Sequence, residues 1–252
     1  MRGGPRLVAC IPAYNEEKTI GCVVRETRRY VDIVIVCDDG SSDRTSEEAA
    51  RAGAIVIRHE KNMGYGAALR TLFLTAKRLN PDAMVILDAD GQHNPADIPR
   101  LVKAILAGEA DVVVGSRLLR DTDMPVYRAV GVRLITWPIR AIAYPRLKDA
   151  QSGFRAYSRR AVRLIDVTER GMGASTEILL KSALYDLVLK EVPVRINYAG
   201  ITHKMNPWIH GIQVFLVTIK HIIIYLIRKL LRGLNVLLWR RSNMAAGVYS
   251  AI

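Results

Sequence analysis
Five short apolar runs, RLVACIP, DIVIVCD, AIVIRHE, AMVILDAD and DVVVGSR, recur between residues 6 and 117, and each ends in a polar loop. Helix-period segments separate them. Near-continuous Val/Ile runs of this kind suit strands buried on both faces, which predicts a mostly parallel sheet with helices on either side. In such sheets ligands bind outside the carboxyl ends of the strands, where each run here turns polar. With 252 residues, 50% of them apolar, the chain can bury one sizeable core. A single α/β domain with an appendage is expected, and no second full domain.

Beyond Leu118 the pattern changes. Residues 118–147 are arginine-rich and mostly helical, with Arg128, Arg133 and Arg140 among apolar residues and Pro125 and Pro138 as breaks. They read as an excursion from the sheet. DAQSGFRAYS then looks like an extended return, GASTEILLKSALYDLVL a helix and LKEVPVRINY an edge strand. The net charge of +13 favours an anionic partner: nucleic acid, a phosphorylated small molecule or a membrane surface. Cys10, Cys22 and Cys37 lack metal-ligand spacing and read as small buried side chains in a reducing compartment. The first residues carry no signal-peptide pattern, so the catalytic part is expected in the cytoplasm.

From Ile209 to Trp239 the chain is strongly apolar, but Lys220, His221, Arg228, Lys229 and Arg232 interrupt it. No uncharged run reaches the roughly 18 residues that a spanning helix needs. On a helix, Ile212, Phe215, Ile219, Ile222, Leu226 and Leu230 share one face, while His221, Tyr225, Arg228 and Arg232 share the other. That pattern fits a helix lying in a membrane interface with its basic residues toward lipid headgroups. The competing reading is a helix packed on its own domain or on a partner chain.

The chemistry concentrates at the strand ends. After the fourth run, LDADGQHNP presents Asp88, Asp90 and Gln92 at alternate positions. Hard oxygen ligands sharing one side of a loop suit Mg²⁺ or Mn²⁺, which keep open positions for phosphate oxygens. A lone D-x-D is a weak signal, strengthened here by its place after a buried strand. IPAYNEE and CDDGSSDRT follow the first two runs. The paired acids Asp38 and Asp39 could hydrogen-bond the base or ribose of a nucleotide, or one of them could cap the next helix. In NMGYGAALRTLF, Gly64 and Gly66 permit close backbone approach where a helix starts. The G-x-G-x-x-G spacing of a dinucleotide fold is absent.

Taken in order, IPAYNEE, DDGSSDRT, NMGYGAA, LDADGQHNP, VVVGSR, DAQSGFRAYS and STEILLKSA resemble family 2 glycosyltransferases of the GT-A fold. The likeness is greatest to the branch that makes dolichyl-phosphate or polyprenyl-phosphate sugars, and it covers about residues 6–212. It implies a Rossmann-like sheet with helices on both faces, and a nucleotide-sugar pocket lined by Pro12, Tyr14, Glu16, Asp38 or Asp39, Gly64, Asp88 and Ala89. It further implies Mg²⁺ or Mn²⁺ on Asp88, Asp90 and Gln92, and Asp90, Arg117 and Arg155 as catalytic residues. Arg117, Arg155 and Lys204 are similar to residues that hold phosphate in the family, and Arg128 and Arg133 join them as candidates for the acceptor phosphate.

Departures from the wider superfamily narrow this further. The chain has no Q-x-x-R-W motif and no long span, which disfavours polymer synthesis. Relatives that glycosylate a hydroxyl carry an acidic pair where this chain has Ser175-Thr176-Glu177, with one carboxylate. A lipid phosphate is already anionic near pH 7 and needs only positioning by cations. The expectation is therefore a catalytic domain over 1–206 and an amphipathic helical tail over 207–252. The enzyme would invert the anomeric carbon while moving a hexose from a nucleotide-diphosphate sugar, UDP favoured over GDP-mannose, to a dolichyl or polyprenyl phosphate at the cytoplasmic membrane face. Two alternatives stand beside it: transfer to a hydroxyl with Glu177 as base, and a non-catalytic basic scaffold. Acids at successive strand ends weigh against nucleic acid as the partner. Oligomeric state is not legible in the sequence.

Overall fold
A computed structural model of the chain describes residues 4–119, 126–196 and 215–232. Seven strands form one sheet in the order β3-β2-β1-β4-β6-β5-β7. The five apolar runs become β1 (Leu7–Ala13), β2 (Ile33–Asp38), β3 (Ile55–Arg58), β4 (Ala83–Ile86) and β5 (Val112–Ser116). The extended return is β6 (Arg155–Ser158), and the expected edge strand is β7 (Leu189–Pro193). Only β6 runs against its neighbours, pairing antiparallel with both β4 and β5.

Alternation along the strands divides the core into two layers, as the pleat requires. Ala9, Ile11, Val34, Val36, Val85 and Val113 face α1 (Ile20–Thr27), α2 (Thr45–Arg51) and α4 (Ile98–Leu106). Val8, Cys10, Ile35, Cys37, Met84 and Val112 face α3 (Tyr65–Leu79), α6 (Arg159–Leu164) and α7 (Ala174–Leu184). Cys10 and Cys37 are buried as expected, but Cys22 is exposed on α1, because the core-facing residues of that helix are its neighbours Ile20, Val23 and Val24.

The arginine-rich excursion contains α5 (Val126–Ile142), with Pro138 inside it. Its inner face carries the buried Thr136 and Ile139, and Val130, Leu134 and Trp137 stand exposed. Residues 215–232 form a further helix, α8. Ile222 and Tyr225 join Ile139, Leu147, Leu179 and Leu180 in a third apolar cluster.

This seating corrects the expected orientation of the tail. The buried side of α8 is Thr218, His221, Ile222 and Tyr225, so His221 and Tyr225 meet protein rather than headgroups. Specific polar partners drive the choice: the Thr176 and Thr218 hydroxyls lie 3.2 Å apart, and His221 Nε2 is 3.0 Å from Glu169 Oε2. The exposed side holds Leu216, Ile223, Leu226, Ile227, Leu230 and Leu231, with Arg228 and Lys229 between them. The remainder of the expected Ile209–Trp239 helix lies outside the described residues. Among the described residues no helix is long and apolar enough to cross a membrane.

Candidate active site
The carboxyl ends of β2, β1 and β4 lie side by side, with the start of β6 between β4 and the carboxyl end of β5, and the polar loops at this edge form the candidate site. At the end of β4, Leu87 is fully buried and Asp88 emerges with a third of its side chain exposed. Its backbone N–H donates to His93 Nδ1 at 3.1 Å, and the His93 ring stacks on Phe154 with centroids 5.0 Å apart. Burial lowers the His93 pKa to about 4. The ring is therefore neutral, with its proton on Nε2.

Asp88 and Asp90 are brought together as the spacing implies. Burial raises the Asp88 carboxyl to about 6 against the opposing pull of Arg117, Tyr65 and Arg155. Burial and then the Asp88 charge raise Asp90. Two crowded carboxylates that resist ionisation are a donor set suited to a hard divalent cation, whose charge removes their repulsion. Among the described residues no group of three or more acids, cysteines and histidines is placed to hold a metal ion. Gln92 differs from expectation. Its amide N–H donates to Asp90 Oδ2 at 2.6 Å and its backbone N–H to Asp90 Oδ1 at 2.9 Å. In this geometry Gln92 orients the Asp90 carboxylate through its N–H groups.

The arginines divide. Arg117 makes a two-pronged pair with the fully buried Asp149, through Nε at 2.7 Å and Nη2 at 2.8 Å. Burial works against the Asp149 charge, but Arg117 outweighs it and holds the carboxyl below the ordinary range. Asp149 is in turn fixed by its own N–H, which donates to Glu191 Oε1 at 2.9 Å. Asp149 is a site residue the motif reading passed over, although it opens the DAQSGFR segment.

Arg155, read as a catalytic and acceptor-phosphate residue, is 2% exposed. Its guanidinium donates to the carbonyls of Ala150, Ser152 and Ser175 at 2.8, 2.8 and 3.0 Å. A side chain clamped in this way shapes the loop under Asp88 and is not presented to an acceptor. The same loop passes so close that a Cβ on Gly153 would lie 2.8 Å from Asp88 Oδ2. Arg133 stands exposed on α5, and of Arg128 only its place on α5 is described. Lys204 lies outside the described residues.

The nucleotide-side residues also sort by burial. Tyr14 is exposed at the end of β1 and Glu16 half-buried beside it, while Pro12 is buried in β1 opposite Cys37. Ala89 packs its methyl into the core. Asp38 is fully buried and receives the Ser41 N–H at 2.9 Å and the Ser46 hydroxyl, so it organises its own turn; it does not cap α2, whose start has no side-chain cap. Asp39 receives the N–H groups of Met63 and Gly64 at 2.9 and 2.8 Å and lies 2.7 Å from His59 Nδ1. It shapes the loop before α3.

Gly64 and Gly66 serve the chain's own backbone. The Arg170 carbonyl accepts the Gly66 N–H at 2.7 Å and the Ala67 N–H at 3.3 Å. A Cβ on Gly66 would lie 2.1 Å from the Glu169 carbonyl oxygen. The expected approach is real, but its partner is the segment before α7. Glu177, the alternative base, is 2% exposed and receives the Thr168 N–H, the Glu169 N–H and Lys181 Nζ. Burial opposes its charge, yet these donors hold its pKa below the ordinary range. Buried, saturated and acidic, it is unsuited to take a proton from a hydroxyl.

Comparison with known proteins gives the class: the chain is a glycosyltransferase. The model of glycosyl transferase family 2 matches residues 8–165, and the chain belongs to that family. It is 33% identical over 211 residues to the UDP-N-acetylglucosamine–dolichyl-phosphate N-acetylglucosaminyltransferase of Methanococcus voltae, covering 75% of this chain and 84% of that one. It is 32% identical over 212 residues to the dolichyl-phosphate hexose transferase of Haloferax volcanii, covering 81% and 89%. The crystal structure of glucosyl-3-phosphoglycerate synthase from Mycobacterium tuberculosis, in complex with Mn²⁺, UDP and phosphoglyceric acid, superposes with a TM-score of 0.67 at 23% identity, covering 88% and 80%. The GT-A fold is thereby shown, and family membership removes the non-catalytic scaffold reading.

Two outcomes are expected. Because divalent ions bind ionised carboxylates, Mn²⁺ affinity should weaken as pH falls through about 6, where Asp88 gains its proton. In metal-free protein the sign reverses: a carboxyl raised on folding destabilises once ionised, so this group's contribution to stability falls as pH rises from about 4 to about 6. Mn²⁺ titration calorimetry and urea unfolding between pH 4 and 8, each compared with Asp88→Asn, check both signs. Arg155→Ala should orphan three buried carbonyls and cost about 3 kcal/mol or more. Urea unfolding measures it, and a well-folded variant altered only in acceptor KM would restore Arg155 to the acceptor site.

Proposed function
We propose that the enzyme moves a hexose from a nucleotide-diphosphate sugar to a dolichyl or polyprenyl phosphate at the cytoplasmic face of a membrane. The observation that carries this reading is the locked state of Glu177. With no proton to remove, a phosphate acceptor needs no such base, and the two relatives named above both act on dolichyl phosphate. A UDP-sugar is favoured as donor, since the M. voltae relative is named for UDP-N-acetylglucosamine.

The nucleotide lies against the β1 and β2 loops, with Tyr14 and Glu16 at its edge and the loop organised by Asp39 beneath it. Asp88 and Asp90 would hold Mg²⁺ or Mn²⁺, and the ion would supply positive charge for the donor diphosphate. Gln92 keeps the Asp90 carboxylate aimed. Arg117, itself aimed by Asp149, faces the anionic groups, and Arg133 and Lys204 are candidates for the acceptor phosphate. An oxygen of that phosphate attacks the anomeric carbon as the bond to the nucleotide diphosphate breaks, inverting the centre. The diphosphate leaves with the bonding electrons.

A panel of radiolabelled nucleotide sugars offered with a polyprenyl phosphate and Mg²⁺ or Mn²⁺ tests the reading. Label is expected in the organic phase after lipid extraction, in wild type and not in Asp90→Asn, which should fold normally and lose about 100-fold or more in turnover. Label that transfers only to water-soluble hydroxyl acceptors would refute the lipid assignment.

Membrane contact falls to the exposed faces of α8 and α5. Ile223, Ile227 and Leu230 would enter the acyl boundary while Arg228 and Lys229 meet anionic headgroups, each contributing on the order of 1 kcal/mol. Replacing Ile223, Ile227 and Leu230 together by Asp should release the protein from anionic vesicles without unfolding it, because none of the three is in the buried cluster. Unchanged vesicle sedimentation would move the docking face elsewhere.

A further inference from the structure
Glu169 precedes α7 and lies outside every motif that carries the chemistry, yet its carboxylate joins two parts of the molecule. Oε2 receives Lys220 Nζ and His221 Nε2 from α8, both at 3.0 Å. Oε1 receives the N–H groups of Arg170 and Gly171 at 3.2 and 3.4 Å. Burial opposes its charge, but the bonds from Lys220 and His221 outweigh it and bring the carboxyl down to about 2. It is therefore ionised at any working pH.

The backbone of Glu169 and Arg170 is also the floor on which α3 begins. The Arg170 carbonyl caps the Gly66 and Ala67 N–H groups, and neither Gly64 nor Gly66 has room for a Cβ against it. Tyr65 stands between those two glycines, and its hydroxyl donates to Asp88 Oδ1 at 3.5 Å. Glu177 grips the same segment from α7 through the Thr168 and Glu169 N–H groups. Glu169 is thus the one acid of this segment whose charge is answered from α8.

We propose that Glu169 is a positioning residue: it locks the segment 166–173 between α8 and the start of α3, and so holds the Tyr65 hydroxyl on Asp88 and makes donor binding depend on the seating of α8. The proposal rests on the reading of Asp88 and Asp90 as the site of the metal and the donor diphosphate. Its physical content is a rigid chain of contacts. A carboxylate bonded at both oxygens fixes its own backbone, that backbone fixes the Gly66 and Ala67 amides at the start of α3, and Tyr65, the residue just before those amides, reaches the Asp88 carboxylate.

The test uses Glu169→Ala and Glu169→Gln in the full chain, with Lys220→Ala/His221→Gln as a second route that leaves segment 166–173 unchanged in sequence. Hydrogen–deuterium exchange is followed in peptides covering 63–69 and 215–232. UDP and GDP are titrated with and without Mn²⁺. Glu169→Ala and the α8 double variant are expected to speed exchange in both segments, and to weaken Mn²⁺-dependent nucleotide binding about tenfold while leaving metal-free binding within about twofold. Glu169→Gln, which keeps one acceptor oxygen, should fall between. Tyr65→Phe should weaken the same Mn²⁺-dependent binding without altering exchange at 215–232.

Faster exchange confined to 215–232, with residues 63–69 and nucleotide affinity as in wild type, would overturn the proposal. Coupled exchange with unchanged Mn²⁺-dependent affinity in Tyr65→Phe would overturn the link to Asp88. A wild-type protein that binds neither UDP nor GDP with Mn²⁺ would instead overturn the donor reading, whatever the exchange data show. Should Glu169→Ala unfold, the α8 double variant decides alone.

Discussion
Two carboxylates at the end of a buried strand repel each other and have lost part of their water, and the surrounding structure is arranged about that conflict. Asp88 and Asp90 are both raised above the ordinary carboxylate range. The cations near them are not loose counter-ions. Arg155 is buried and bonded to three carbonyls, and Arg117 is aligned by Asp149. Each therefore contributes positive potential to Asp88 from a fixed place. Preorganised charge of this kind needs no rearrangement when the ligand arrives.

Much of this was legible in the residues. Val/Ile runs ending in polar loops gave the parallel strands and the side of the sheet that carries the site, because burial on both faces leaves a composition few other elements share. The D-x-D spacing gave the acid pair. What the residues could not disclose was the direction in which a polar side chain turns. Asp38 and Arg155 have the chemistry of ligand-binding groups, but each is buried and has partners within the chain. Gly64 and Gly66 announced a close approach without saying to what. The partner of the two glycines lies in a segment distant in sequence, and the partners of Asp38 and most of those of Arg155 lie nearby in the chain but are reached only through the way each loop turns, so neither kind of contact leaves a simple pattern.

The terminal helix shows the same limit from another direction. Its periodicity is amphipathic on either reading, because two apolar stripes run along it: one seated on α5 and α7, the other exposed. A hydrophobic pattern tells how much surface wants cover, and the choice of stripe was made by Thr218 and His221 through bonds to Thr176 and Glu169. Polar residues selected which apolar face is buried. The exposed stripe is thereby left to whatever lies outside the domain.

The placement of β6 bears on how the molecule comes to exist at all. It is the sixth strand in the chain, but it lies between β4 and β5, pairing Ala83 with Ser158 and Val112 with Tyr157. While the chain emerges from the ribosome, β4 can join β1 on one side only, and its other edge stays open until some seventy residues later. Non-local pairing of this kind slows folding. Arg155 opens that same strand, so the clamp beneath Asp88 closes in the step that completes the middle of the sheet. A half-made chain therefore holds the two carboxylates without the support beneath them, which arrives only when the middle of the sheet is complete.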